Sequence, residues 1–251
     1  MSWPLAAGLL AIASAAGAGG LLYYACSVPS SQILGRTLVR GSFTSAGTPA
    51  GRPRVALTFD DGPARPSTEQ ILDILRREQV TATFFVCGKN VERDPGVVRR
   101  IAAEHHTLGN HTYSHPLLYL KGRARMASEI DKTQDAIERA VGERPKLFRP
   151  PYGVRWFGLF PVLRARGLHV VQWSDAGFDW KRENGPADIA RLALRNLQNG
   201  SVILLHDGRE PRRPEEPEGI DARATVEALP AIIHGARQAG FEFVSVEEFL
   251  T

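Results

Sequence analysis

From Arg54 onward, short apolar runs alternate with longer stretches in which apolar residues recur every three or four positions. The short runs are VALTF (55–59), ATFFVCG (82–88), TLGN (107–110), KLF (146–148), LHVVQWS (168–174), SVILL (201–205) and FEFVSV (241–246). Their length and their turn-rich flanks predict seven strands. The periodic stretches predict helices over 67–78, 95–104, 124–141, 157–166, 186–198 and 222–239. Ser67 stands where the first of these needs an N-cap, and Gly142, Gly167, Gly200 and Gly240 follow later ones as C-terminal stops. Strands and helices alternating over roughly 190 residues imply a parallel sheet covered by helices. The glycine patterns GxGxxG and GxxxxGK[ST] are both absent, so a nucleotide cofactor has no support. An α/β fold of TIM-like (β/α) barrel type, incomplete or distorted, fits better than an open dinucleotide-binding sheet.

The N-terminus follows another pattern. No charged residue occurs from Pro4 to Val28, a stretch as long as the roughly 20 apolar residues that cross a bilayer as a helix. Trp3, Tyr23 and Tyr24 sit near its ends, as interfacial aromatics do. Residues 1–28 are therefore read as an apolar helix acting as a transmembrane anchor, with a cleaved signal segment as the rival reading because Ala13-Ser14-Ala15 and Ala16-Gly17-Ala18 resemble cleavage sites. On either reading the domain that follows is exported, to the periplasm or cell surface. Residues 29–53, rich in Ser, Gly, Pro and Thr, read as a linker, and 54–251 as one folded domain.

Composition adds exclusions. The net charge of +4 is mild, and the one basic cluster, Arg209, Arg212 and Arg213, is interleaved with Pro and Glu as in a solvated loop. Nucleic acid is not an expected partner. The two cysteines, Cys26 and Cys87, are too few for a disulfide framework, and Cys87 ends an apolar run as a buried thiol does.

Reactive side chains fall at strand ends. Asp60 and Asp61 follow VALTF, His111 and His115 follow TLGN, Arg149 follows KLF, Asp179 lies past HVVQWS, and His206 follows SVILL. In a β/α barrel those ends gather at one mouth. The i, i+4 spacing of His111 and His115 puts two imidazoles on one face of a helical turn, and Asp61 supplies a carboxylate. Two His and one carboxylate serve catalytic zinc hydrolases and also non-haem iron oxygenases. Asp60 and His206 narrow the choice: a metal-bound water attacking a carbonyl needs a base to take its proton and an acid for the leaving group. An oxygenase leaves Asp60, Arg149 and His206 without work. His105, His106, His169 and His234 read as surface or helix residues.

With these residues in place, the chain over about 54–250 resembles the polysaccharide deacetylases, the NodB-like carbohydrate esterases of family 4. The resemblance rests on Thr58-Phe59-Asp60-Asp61-Gly62-Pro63, His111-Thr112-Tyr113-Ser114-His115, Arg149-Pro150-Pro151-Tyr152-Gly153, Asp179-Trp180 and Leu204-Leu205-His206, in family order. It implies a distorted (β/α)7 barrel that removes N-acetyl groups from N-acetylglucosamine residues of peptidoglycan or a chitin-like glycan, using one divalent ion, usually Zn2+. Asp60 is implied as base, Asp61, His111 and His115 as metal ligands, and Arg149 as the group orienting Asp60. His206 is implied as acid tuned by Asp179. Tyr152 is implied to offer its backbone N–H to the oxyanion, and Trp180 and Leu204 to line the acetyl pocket. Where many members have Asp-x-x-Asp-Trp, this chain has Ala176 three before Asp179, with Asp175 one residue earlier, which puts the shape of that loop in question. Deacetylation of acetylated xylan, hydrolysis of a cyclic amide, and a catalytically silent glycan-binding domain are the alternatives.

Overall fold

A computed structural model describes residues 17–41, 51–208 and 222–250. The Arg209, Arg212 and Arg213 cluster and the first 16 residues of the expected anchor lie outside them. All seven expected strands form, and two short ones join them in a single nine-stranded sheet. In chain order they are β1 (Thr37–Leu38), β2 (Arg54–Asp60), β3 (Thr83–Val86), β4 (Thr107–Asn110), β5 (Leu147–Phe148), β6 (His169–Val171), β7 (Asp175–Ala176), β8 (Ser201–His206) and β9 (Glu242–Val244). The helices are α1 (17–27), α2 (Ser67–Glu78), α3 (Gly88–Arg93), α4 (Pro95–Ala103), α5 (Arg123–Val141), α6 (Leu159–Arg164), α7 (Pro186–Leu194) and α8 (Arg223–Gln238).

The strands run β1-β6-β5-β4-β3-β2-β8-β7, with β9 beside the first half of β2, and every named pair is parallel. This is the expected (β/α) barrel in distorted form. Strand periodicity sorts its two faces. On β2, Leu57 and Phe59 point outward into the core under α2, α7 and α8, with Ile71, Ile189 and Ile232. Ala56 points inward with Phe85, Leu147, Val171 and Val202. Thr58 and Asp60 have the inward parity of Ala56, so the last turn of the periodicity delivers a carboxylate to the barrel mouth.

The sheet also departs from the sequence reading. The run 168–174 was expected as one strand. Instead β6 ends at Val171, and the chain leaves one edge of the sheet and rejoins the other as β7 beside β8. The gap between these edges is bridged by chain from the stretch expected as linker. Thr37 and Leu38 pair with Val170 and Val171, the Gln172 N–H donates to Leu38 O at 2.7 Å, and Arg40 bridges to Ser201.

Upstream, the side chain of fully buried Arg155 donates to the carbonyls of Val28, Pro29 and Ser31 just past α1, and its backbone N–H donates to Cys26 O in the last turn of α1 at 2.8 Å. Among the described residues, no helix is long and apolar enough to cross a membrane. Pro66, not Ser67, is the N-cap of α2. Ser67 Oγ instead accepts the Ala222 N–H at 3.0 Å, and Thr68 Oγ1 accepts the Ala64 N–H at 2.8 Å. His106 is buried rather than on the surface, its Nδ1 accepting the Ala82 N–H at 3.2 Å.

Candidate active site

The register of three parallel strands sets the site's frame. Asp60 on β2 lies opposite His206 on β8 and opposite Phe85 on β3. Below it, Arg149 is fully buried with its guanidinium 4.1 Å from the Phe85 ring centroid. It donates to Asp60 Oδ1 at 2.6 Å, Thr58 Oγ1 at 2.9 Å, and the carbonyls of Val171 and Gln172 at 3.3 and 2.9 Å. Burial pulls the Arg149 pKa down and Asp60 resists that pull. With Oδ1 so held, Asp60 turns Oδ2 to His111 Nε2, 3.7 Å away.

Asp61 adopts a left-handed backbone (φ 75°), which swings its carboxylate across the mouth instead of continuing the strand. Three surrounding contacts hold that turn. Asn90 Nδ2 donates to Asp61 O at 2.7 Å, the Asp207 N–H donates to Asp60 O at 3.2 Å, and the Cys87 N–H donates to Gly62 O at 2.9 Å. Gly62 is required here, because a Cβ would sit 2.0 Å from Asp207 Oδ2.

His111 and His115 are not on a helical turn, as their spacing suggested. They lie in an irregular loop in which Thr112 and His115 both have positive φ. Glu129 of α5 holds the loop, accepting the N–H groups of Tyr113 and Ser114 at 3.1 and 2.9 Å. Asn110 adds its Oδ1 to the Thr112 N–H at 2.9 Å.

The result is one buried triad: ligand atoms of Asp61, His111 and His115 lie within 4.8 Å of one another, with Asp61 Oδ1 at 3.2 and 3.1 Å from the two Nε2 atoms. His111 Nδ1 is 2.8 Å from the Arg149 carbonyl, so the proton sits there and Nε2 turns a lone pair to Asp61. Among the described residues, no donor satisfies buried Asp61 Oδ1 with hydrogen-bond geometry. Burial opposes ionisation of Asp61, but with no metal between them the imidazoles of His115 and His111, when protonated on Nε2, outweigh it and hold the carboxyl well below the usual carboxylate range. Lone pairs converging in a buried space fit a divalent cation, and two His with one carboxylate is a zinc-type set that leaves positions open.

Across the mouth, His206 Nδ1 lies 2.9 Å from Asp179 Oδ1, while Asp179 Oδ2 accepts the His206 N–H at 2.7 Å and the Thr225 hydroxyl at 2.8 Å. Burial disfavours the imidazolium, but Asp179 overcomes this and, with Asp61 and Asp60, pushes His206 up to about 10. The Trp180 ring stands edge-on to His206, centroids 5.4 Å apart. Leu204 is buried, shares the inward parity of His206, and lies opposite Thr58 and Ala176. Tyr152, in a 3₁₀ turn with φ 57°, is exposed and sets its ring 4.7 Å from that of His115. The structure thus brings Asp60, Asp61, His111, His115, Arg149, Tyr152, Asp179, Trp180 and His206 to one mouth, with Leu204 on the same strand face as His206. Asp175 stays apart from it, bonded to Ser174 Oγ at 2.7 Å and 3.7 Å from Arg40.

Sequence reasoning missed Asp207, Glu129, Asn90 and Thr225. Asp207 is fully buried and accepts from Thr68 Oγ1 at 2.6 Å. Burial, with Asp61 and Asp60 nearby, pushes its carboxyl up to about 7. Its position directly after His206 was a signal. So was Glu129, an acid on the apolar face of α5 beside Met126 and Ile130.

The family model for polysaccharide deacetylases matches residues 47–171. A peptidoglycan-N-acetylglucosamine deacetylase of Bacillus cereus is 38% identical over 198 residues, covering 79% of this chain and 68% of that one. A chitooligosaccharide deacetylase of Sinorhizobium fredii is 36% identical over 192 residues, covering 76% of this chain and 89% of that one. The crystal structure of the Bc1960 peptidoglycan N-acetylglucosamine deacetylase matches with a TM-score of 0.74 at 36% identity, over 85% of this chain and 92% of that one. Fold, sequence and a converging set of Asp, His and Arg side chains agree, and the chain belongs to the polysaccharide deacetylase family.

Proposed function

We propose that this chain removes N-acetyl groups from N-acetylglucosamine residues of a polymer, with peptidoglycan the first candidate and chitin-type oligomers the second. The observation that carries the reading is Asp60, held by Arg149 on one oxygen and turned toward the Asp61–His111–His115 triad with the other, directly across the strand pair from His206. Asp61, His111 and His115 would hold the divalent ion, with zinc the expected metal. When bound, the ion supplies Lewis-acid polarisation of the acetyl carbonyl and acidifies water.

The protein's own groups account for the proton traffic. Asp60 Oδ2 takes a proton from the water that adds to the amide carbon. His206, protonated and keeping Nδ1 on Asp179, gives the Nε2 proton to the departing sugar nitrogen as the C–N bond breaks. Acetate and the free amine result. The Tyr152 backbone N–H is assigned to the developing oxyanion. Trp180 and Leu204 are assigned to the acetyl methyl.

The catalytic unit is taken to include residues 28–41 as well as 54–251, because the former bridge sheet edges and bind Arg155. Export, with the N-terminal stretch held in the cytoplasmic membrane, is supported by the uncharged run Pro4–Val28 and by exposed Leu21 and Tyr23 on α1. Acetate release is the test, run with zinc-loaded and chelator-treated protein on peptidoglycan, chitin oligomers and acetylxylan. Metal-dependent release from the first two supports the reading. Release from acetylxylan alone would replace it with ester hydrolysis.

A further inference from the structure

The two loops that carry the mouth run side by side outward from it. One follows β4 and bears His115, and the other follows β5 and bears Tyr152; their rings are in contact at 4.7 Å. Four residues further along each loop the contact is repeated, with Tyr119 and Trp156 edge to face at 4.4 Å and 61°. Phe157 stands against Trp156 at 5.0 Å and 77°. Four residues of chain reach at most about 14 Å, so the second aromatic group lies within a few sugar lengths of the triad.

This group is exposed where a core group would be covered. Tyr119 is 40% exposed and Phe157 57%, with Leu117 and Leu120 exposed beside them in sequence. Trp156 is half-buried and packs on the cluster of Leu118, Leu159 and Phe160. Its neighbour Arg155 is pinned by three backbone carbonyls. The group is therefore anchored by packing on one side and partly open to solvent at Tyr119 and Phe157, an apolar surface of the kind that marks a binding site.

We propose that Tyr119, Trp156 and Phe157 form a sugar-stacking subsite that binds a pyranose unit of the same polymer, away from the acetyl group being removed. The proposal rests on the glycan-deacetylase reading above. A pyranose ring in a β-linked polymer presents an apolar face of C–H groups edged by hydroxyls. An aromatic face with a polar tip such as Tyr119 matches both parts. Continuity with the mouth favours a glycan as occupant over a lipid surface, because the two ring contacts line up along the same loop pair.

The test uses the full chain and its Tyr119→Ala, Phe157→Ala and conservative Trp156→Phe variants. Kinetics are measured on N-acetylglucosamine oligomers of increasing length and on an aryl acetate too small to reach the subsite. For the Ala variants, kcat/KM on the longest oligomers should fall on the order of tenfold, through KM, as expected for a lost stacking contact. Their aryl acetate turnover should stay within about twofold of wild type, and Trp156→Phe should keep most of the length dependence. Equal loss on both substrates would make the group structural and overturn the proposal, as would an unchanged length dependence. Loss of sedimentation with phosphatidylglycerol vesicles, with glycan kinetics intact, would reassign the patch to lipid. Absence of acetate release from every oligomer by the wild-type protein would overturn the underlying reading and the subsite with it, a result distinct from variants that merely match wild type.

Discussion

Asp60 and His206 occupy paired positions on adjacent parallel strands, β2 and β8, and both have inward parity. Each is tied from behind, Asp60 by Arg149 at 2.6 Å and His206 by Asp179 at 2.9 Å. Strand register therefore sets the spacing of the proposed base and the proposed acid, and a buried partner of opposite charge holds each in place.

Asp60→Asn keeps an oxygen for Arg149 but removes the base. Turnover should fall by roughly 10²–10⁴-fold, while zinc affinity measured by calorimetry stays near wild type. Full retained activity would sink the assignment of Asp60.

Asp179→Asn should move the alkaline limb of the kcat/KM profile to lower pH. The acid is active below its pKa, and Asp179 raises that pKa, to about 10. Removing the charge leaves burial to pull it down. A bound cation offsets the part due to Asp60 and Asp61, so the variant's shift relative to wild type is the quantity to read. An unmoved limb would assign it to another group.

Glu129→Ala removes the acceptor for two N–H groups of the loop that carries His115. Zinc affinity should weaken by about 10–100-fold, the usual effect of losing an outer support of a ligand. Competition with a chromophoric chelator would measure it, and unchanged affinity would show that the loop holds its shape without Glu129.

Burial lowers the His106 pKa from 6.5 to about 4. The unfolded chain thus binds the proton more readily than the native protein. Stability is fully present above pH 6.5 and is lost as pH falls toward about 4. Urea midpoints at pH 7 and pH 4.5 should differ more for wild type than for His106→Asn, which accepts from Ala82 without titrating. Equal pH dependence of the two would contradict the linkage.

Much of this fold was legible from local pattern. The run VALTF lies within β2, and Ser67–Glu78 matches α2, because a parallel strand covered on both faces is written as a short apolar run and a helix that buries one face as a 3.6-residue repeat. The run 168–174 was misread because nothing local marks where a strand leaves one sheet edge for the other. The stretch 37–41 reads as linker in sequence because Thr37 and Leu38 gain strand character only from their partners Val170 and Val171.

By itself, the sequence determined the alternation of strands and helices and the placing of Asp60, Asp61, His111, Arg149 and His206 at strand ends, since both follow from periodicities within a few residues. Only the tertiary structure decided that Asp60 lies opposite His206. It also decided that the two triad histidines sit in an irregular loop, with positive φ at Thr112 and His115, held by Glu129, that Asp207 fills the space beneath Gly62, and that the two aromatic contacts repeat along neighbouring loops. These are contacts between residues far apart in the chain. Register and packing fix them, and a local pattern carries no record of either.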